Sequence, residues 1–359
     1  MTHTTMPDRP RPEAVDGQGP AMLLAARSVR LIVASGTITV VLAALALVSA
    51  CTSHPQQQAS PPAAGAASRP AVGTPDSYRV GERQMSFTEP AHVGPAHQHL
   101  GQRTLAIVIW YPQAQRPAGP QPASGPFPLL VFAPGLTACA NPYLGLLQAW
   151  ASAGYVVAAV NFPRTDCYVA APYEPDTVNQ PADMSYVISS LLALSARPHD
   201  VFSGLVNPHQ IGVAGHSNGG DTVAALAANT CCTDHRLAAV AVLSGSEETA
   251  MPGRYFPGGA PPMLFAQGSA DADNPPQLSL QMYRADTAHA RYYLDLFGED
   301  HIQPYLGIGP AEQVVARVTL AFFDRYVLGQ VPALAAMTRD GNVSKIAALV
   351  SDGQLPPSS

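Results

Sequence analysis

The sequence predicts an α/β protein: an open, mostly parallel sheet flanked by helices, built as a single domain. Three observations predict it. Residues 127–135 ("FPLLVFAPG"), 155–163 ("YVVAAVNFP"), 211–215 ("IGVAG"), 237–245 ("LAAVAVLSG") and 263–268 ("MLFAQG") are short, near-continuous apolar runs, the pattern of strands buried on both faces. The segments between them repeat apolar residues at helical spacing. From residue 77 onward the two kinds of segment alternate through one continuous region, as βαβ units do. With 359 residues, 47% of them hydrophobic and 12% charged, the chain can bury one sizeable core.

At the N-terminus, Arg27 and Arg30 precede the uncharged run "LIVASGTITVVLAALALVSA", which ends directly at Cys51. That is the layout of an export signal. Val48-Ser49-Ala50-Cys51 resembles a bacterial lipobox, whose cysteine is lipidated and becomes the new N-terminus, although the run also has about the 20 residues of an uncleaved membrane anchor. Either way the chain is expected outside the cytoplasm, attached to the outer face of the membrane. Residues 52–76 lack periodicity and are rich in Pro, Ala, Gln and Ser, so they are expected to be a flexible tether. The division is then 1–51 signal segment, 52–76 tether and 77–359 folded domain.

Within the domain, "RTLAIVIWYP" (103–112) reads as a strand ending at Pro112. Asn141-Pro142 reads as a cap and first turn for a helix carrying Leu144, Leu147 and Trp150, with Gly154 at its end. Met184, Val187, Ile188, Leu191 and Leu192 mark a second helix, and Val314, Val315, Val318, Phe322 and Tyr326 a third. All of these stripes read as core.

In an oxidising compartment, Cys139, Cys167, Cys231 and Cys232 allow three complete pairings. Cys139 and Cys167 each lie just beyond strands expected to be neighbours, which favours a Cys139–Cys167 disulfide. Cys231 and Cys232 form a vicinal bridge or remain thiols. Their placement at strand ends does not suggest a metal site. The formal net charge of −6, without a Lys/Arg cluster in the body of the chain, argues against nucleic acid as a partner.

The chemistry centres on "IGVAGHSNGGD" (211–221). A serine hydroxyl is a weak nucleophile and needs a base, an acid to orient that base, and donors for the oxyanion. Gly215-His216-Ser217-Asn218-Gly219 has the G-x-S-x-G form after an apolar strand and before a small-residue helix. Gly215 and Gly219 let strand and helix approach around a strained Ser217. In this arrangement the acid and then the histidine follow the serine, each at a later strand end. Asp271 after "MLFAQGSA" and His301 after "RYYLDLFGED" meet that order, with Asp273 the rival acid and Asp300 too close to the histidine it would orient. His216 is expected to pack or shape the pocket, while His199, His209 and His235 belong to loops. The oxyanion donors are expected to be the main-chain N–H groups of Asn218 and of Leu136, in the "VFAPGLTACANPY" loop.

These stretches, with "GYVVAAVNFP", "NQPADMSYVISSLLAL", "GSAD" and "GEDH", resemble the α/β-hydrolase superfamily, in its dienelactone hydrolase-like and platelet-activating-factor acetylhydrolase-like branch. The "PGLTA" loop is also similar to that of bacterial cutinase-type esterases. The resemblance covers roughly residues 78–330. It implies hydrolysis of carboxylic esters through a covalent acyl-enzyme without a cofactor; the expected substrate is a small-molecule or lipid ester, and neither a metal nor a protein partner is predicted. Ser217 would then be the nucleophile, His301 the general base and acid, and Asp271 the orienting carboxylate. The chain departs from the pattern in its serine where dienelactone hydrolases carry cysteine, in Ala133-Pro134 where the acetylhydrolases carry Ser-His, and in Asn218 and "LSGSEET" where cutinases carry Met and Trp. Two other readings share this sequence: an acyltransferase using the same acyl-enzyme, and a catalytically silent envelope lipoprotein that binds lipid in an inherited cleft. Residues 246–262 read as a lid, an acyl-pocket wall or an ordinary surface loop.

Overall fold

The computed structural model describes residues 77–116 and 119–358, all within the unit Gly65–Ser359. Residues 1–76, which hold the expected signal segment, Cys51 and the tether, lie outside the described residues.

The chain enters on β1 (Arg79–Glu89), forms a two-strand ladder from β2 (His92–Val93) and β3 (His99–Leu100), and returns antiparallel to β1 as β4 (Arg103–Arg116). A short β5 (Gly119–Pro122) folds back on the end of β4. The apolar runs then appear as expected, as β6 (Phe127–Ala133), β7 (Val156–Asn161), β8 (Val206–His216), β9 (Ala239–Leu243) and β10 (Met263–Gly268), followed by β11 (Arg291–Leu296) and an edge strand β12 (Ala347–Ser351). The helices are α1 (Leu144–Ser152), α2 (Gln180–Ala196), α3 (Asn218–Ala228), α4 (Pro276–Ala285), the single turn α5 (Gln303–Leu306), α6 (Pro310–Tyr326) and α7 (Ala333–Gly341).

The main sheet runs β1-β4-β7-β6-β8-β9-β10-β11-β12. Its centre, from β7 to β11, is parallel, and β1, β4, β5 and β12 are antiparallel additions at the two edges. A continuous apolar strand is needed because both faces are covered. Leu129 and Val131 of β6 pack with Met184, Ile188, Val223 and Met282 on one face, while Leu130 and Phe132 pack with Trp150, Val318, Phe322 and Met337 on the other. This is a mostly parallel sheet flanked by helices, the α/β-hydrolase architecture.

Two local expectations are corrected. β4 continues through Pro112 to Arg116. Its pairing with β7 ends at Trp110, so the missing proline N–H falls beyond the central ladder and costs little. Asn141 does not cap a helix through its side chain; it starts a 3₁₀ turn, Asn141–Tyr143, that leads into α1. Gly154, at φ +106°, does end that helix.

After β6 the chain forms β7 on one side and then crosses to β8 on the other. Such a reversal opens a crevice at the carboxyl ends of the strands. Ser217 follows β8 directly at that place.

Candidate active site

Ser217 sits at φ 56° and ψ −126° between the end of β8 and the first residue of α3. A non-glycine residue there carries strain of about 1–3 kcal/mol, held by the structure around it. The two elbow glycines show how. A Cβ on Gly215 would lie 2.0 Å from Gly219 O, and a Cβ on Gly219 would lie 1.9 Å from Ala133 O. Any side chain at either position would push strand β8, helix α3 and the end of β6 apart.

In the loop after β6, three amides are engaged internally. The N–H groups of Gly135, Thr137 and Ala138 donate to Tyr143 Oη (3.2 Å), Thr165 O (2.7 Å) and Gly135 O (3.0 Å). Leu136 N–H, like those of Cys139 and Ala140, has no internal acceptor among the described residues. Asn218 N–H is likewise at the first position of α3, where no preceding helical turn exists to accept it. Its side chain donates instead to Thr177 Oγ1 at 3.2 Å. The disulfide Cys139–Cys167 ties the far end of the loop to the segment after β7. This bears out the pairing expected from neighbouring strands, since β6 and β7 are adjacent and parallel. Cys231 and Cys232 are also joined, as a vicinal bridge just past α3.

Asp271 and His301 meet across the ends of β10 and β11. His301 Nδ1–H donates to Asp271 Oδ2 at 2.8 Å, with both residues buried. Gln267 Nε2 donates to the same oxygen at 2.9 Å, and the amides of Asp273 and Asn274 donate to Oδ1 at 3.0 and 2.8 Å. Asp273, the rival acid, is exposed and supports Asp271 through its backbone. Asp300 is also exposed and accepts the amides of Ile302 and Gln303, which hold it below the ordinary aspartate range. The bond to Asp271 leaves Nε2 of His301 as the free ring nitrogen, and the ring packs 4.8 Å from that of His216, the residue before Ser217. No hydrogen bond from Ser217 Oγ to His301 is formed in this structure. Such bonds commonly shorten only when substrate is bound.

Sequence reasoning named these five positions but not the side chains that surround them. His216 donates from Nε2 to His301 O at 2.8 Å and accepts at Nδ1 from Tyr143 Oη at 2.9 Å. Burial, then the neighbouring His301, pushes its pKa down to about 3. Asp221, in the first turn of α3, is buried and accepts the amide (2.5 Å) and hydroxyl (3.2 Å) of Ser246. Burial pushes its pKa up to about 7 against those bonds, with Glu248 and Glu174 adding to the rise. Residues 246–262 are fastened to α3 at both ends: Ser246 binds Asp221, while Thr230 N–H and Phe256 N–H donate to Arg254 O (3.1 Å) and Ala228 O (2.8 Å). These bonds make the segment a loop fastened to α3.

Among the described residues, no group of three or more His, Cys, Asp and Glu side chains is arranged to hold a metal ion.

The sequence matches the model of the Chlorophyllase family over residues 111–249. That stretch contains Leu136, Ser217 and Asn218 and stops short of Asp271 and His301. Among solved structures, the chain is similar to a ferulic acid esterase from Streptomyces cinnamoneus, at 20% identity and a TM-score of 0.56, over 72% of this chain and 93% of that one. At that identity the likeness is one of fold. No curated protein matches the sequence. The two matches together support an α/β-hydrolase related to ester-hydrolysing serine hydrolases.

Proposed function

We propose that this protein is an exported, membrane-tethered serine carboxylic-ester hydrolase acting through Ser217, His301 and Asp271. The reading is carried by one observation: a buried His301–Asp271 pair stands at the strand ends beside a strained serine elbow.

The reaction follows from the positions. Asp271 holds the proton on His301 Nδ1, so Nε2 is the atom that takes the proton from Ser217 as its oxygen attacks the ester carbonyl. In this reading the N–H groups of Leu136 and Asn218 stabilise the tetrahedral oxyanion. His301 then gives the proton to the departing alcohol. Water, activated by the same nitrogen, releases the acid from Ser217 in the second half-reaction.

Two disulfides support an oxidising location, and the lipobox-like Cys51 supports attachment by lipid. The carboxylic-ester class is further supported by the family match and by the ferulic acid esterase fold.

The test uses the full chain against p-nitrophenyl esters of graded acyl length and methyl ferulate. Turnover should be present in the wild type and fall at least about 10³-fold in Ser217→Ala, the loss that removal of a triad nucleophile brings. Equal rates in the two proteins would overturn the reading. Labelled palmitate should be incorporated into the wild type and not into Cys51→Ala, and an unlabelled wild type would count against lipid attachment.

A further inference from the structure

We infer that His216 is a positioning residue: through Tyr143 and the main chain of His301 it fixes the oxyanion loop and the general base relative to the nucleophile. This rests on the esterase reading above and deepens it.

The chemistry of each partner forces the direction of every bond. The His301 carbonyl can only accept, so His216 Nε2 carries the proton in their 2.8 Å contact. A neutral imidazole then has a lone pair at Nδ1, and the Tyr143 hydroxyl must donate to it at 2.9 Å. With its proton spent, the Tyr143 oxygen is the acceptor for Gly135 N–H at 3.2 Å. A single proton arrangement satisfies all three bonds. They run from Gly135, beside the Leu136 amide, through the residue beside Ser217, to the backbone of His301 itself. Three segments distant in sequence are tied together one residue away from their reacting groups.

Packing alone does not account for this. The ring does fill space, lying 4.8 Å from both His301 and Tyr305, and a phenyl ring would fill the same volume. A phenyl ring would also leave the buried Tyr143 hydroxyl proton without an acceptor and a buried carbonyl without a donor. Neutrality matters too. With its pKa near 3, His216 stays uncharged while the adjacent His301 ring takes up a proton, so no second cation opposes the imidazolium. Freed from this tie, His301 and the Leu136 amide would drift from the reacting geometry, and misplacement by about 1 Å can cost about 10²-fold in rate. The loss should appear in kcat, because ground-state binding does not use the relay.

The experiment measures kcat and KM for p-nitrophenyl butyrate with the full-length wild type, Ser217→Ala, His216→Phe, His216→Gln and Tyr143→Phe, with circular dichroism to establish folding. His216→Phe should lower kcat by about 30- to 300-fold with KM within about threefold. His216→Gln keeps a donor at the ε position for the His301 carbonyl and should recover about tenfold of that loss. Tyr143→Phe, which keeps the ring and removes only the hydroxyl, should lower kcat about 5- to 20-fold. Imidazole ¹⁵N shifts should show His216 as the neutral Nε2–H tautomer from pH 5 to 8.

The inference is overturned by a kcat for folded His216→Phe within threefold of wild type. A His216→Gln variant as poor as His216→Phe, or an imidazolium or Nδ1–H form of His216, also overturns it. If His216→Phe does not fold, an unchanged kcat in Tyr143→Phe decides against it. Absence of Ser217-dependent turnover in the wild type sinks the hydrolase reading instead, and the ¹⁵N tautomer still reports on the relay.

Discussion

Asp271 receives four donors: His301 Nδ1, Gln267 Nε2 and the amides of Asp273 and Asn274. An asparagine there would keep Oδ1 on the two amides and turn its NH₂ toward His301, which could then meet it only with an unprotonated Nδ1. The proton would move to Nε2, the atom needed as base. Asp271→Asn should therefore lower kcat by about 10³- to 10⁴-fold with little effect on folding; ester kinetics beside a thermal melt check this, and a variant within tenfold of wild type would remove Asp271 from the role. Ser217, Asp271 and His301 were legible in the sequence because each requirement is local: a serine between two glycines, and an acid and an imidazole just past apolar strands. The Arg103 cluster was not. Arg103 donates to Asp183 at 2.7 and 2.6 Å and to Asp176 at 3.1 and 2.7 Å, yet these partners lie 73 and 80 residues away and nothing in the local pattern of any of them announces the contact. The tie between Tyr143 and His216 was hidden for a similar reason, since a histidine in an elbow reads as packing until its polar atoms are placed.

Among the elements, the nucleophile helix α3 and the loop fastened to it share a buried acid. Because burial raises the pKa of Asp221 to about 7 in the folded chain, the stability it contributes is full below the ordinary aspartate pKa and is lost as pH rises through 7. Asp324, raised to about 6 chiefly by burial, acts in the same direction. Urea unfolding at pH 5 and pH 8 should show the wild type less stable at the higher pH, and Asp221→Asn should remove about 2 kcal/mol of that difference; an unchanged difference would mean Asp221 is ionised throughout. The Cys139–Cys167 bond clamps the loop that carries Leu136, the proposed oxyanion donor. Replacing both cysteines by alanine should cost about 3–4 kcal/mol by loop entropy and lower kcat more than it raises KM, as the amide loses its fixed aim. Equal stability of the two proteins would show the loop held by Thr137 N–H and its neighbours alone. The clamp was readable because the two flanking strands were both strongly apolar and so expected to be adjacent. The loop over residues 246–262 was left undecided, since its fastenings are backbone bonds to α3 that composition does not reveal.

For the molecule as a whole, the parallel centre was plain in the sequence because burial on both faces demands unbroken apolar strands, whereas the sheet's edges were not. β1 is mostly exposed, and four of the five residues of β12 are only half buried, so neither shows a continuous run. Those edges still bear on function. β12 pairs with β11 from Tyr292 to Leu296, Ile346 O accepts Phe297 N–H at 2.8 Å, and the Ser358 amide and hydroxyl donate to the buried Asp295 at 3.0 and 2.6 Å. β11 leads within five residues to His301, so whatever holds its outer edge also holds the base. Removing residues 342–359 should expose that edge, strip Asp295 of its donors and lower the melting temperature by roughly 10 °C, taking about 2–4 °C per kcal/mol for a chain of this size. Ester turnover should fall with it even at temperatures where the remaining chain is folded. Removing residues 1–76 should change neither, because every residue assigned to the site and every buried core residue described lies between 77 and 358. Melting curves and kcat for the two truncations give the comparison: a C-terminal deletion that leaves turnover intact would show that the base is not held through the sheet edge, and an N-terminal deletion that unfolds the domain would show that residues 1–76 belong to its support.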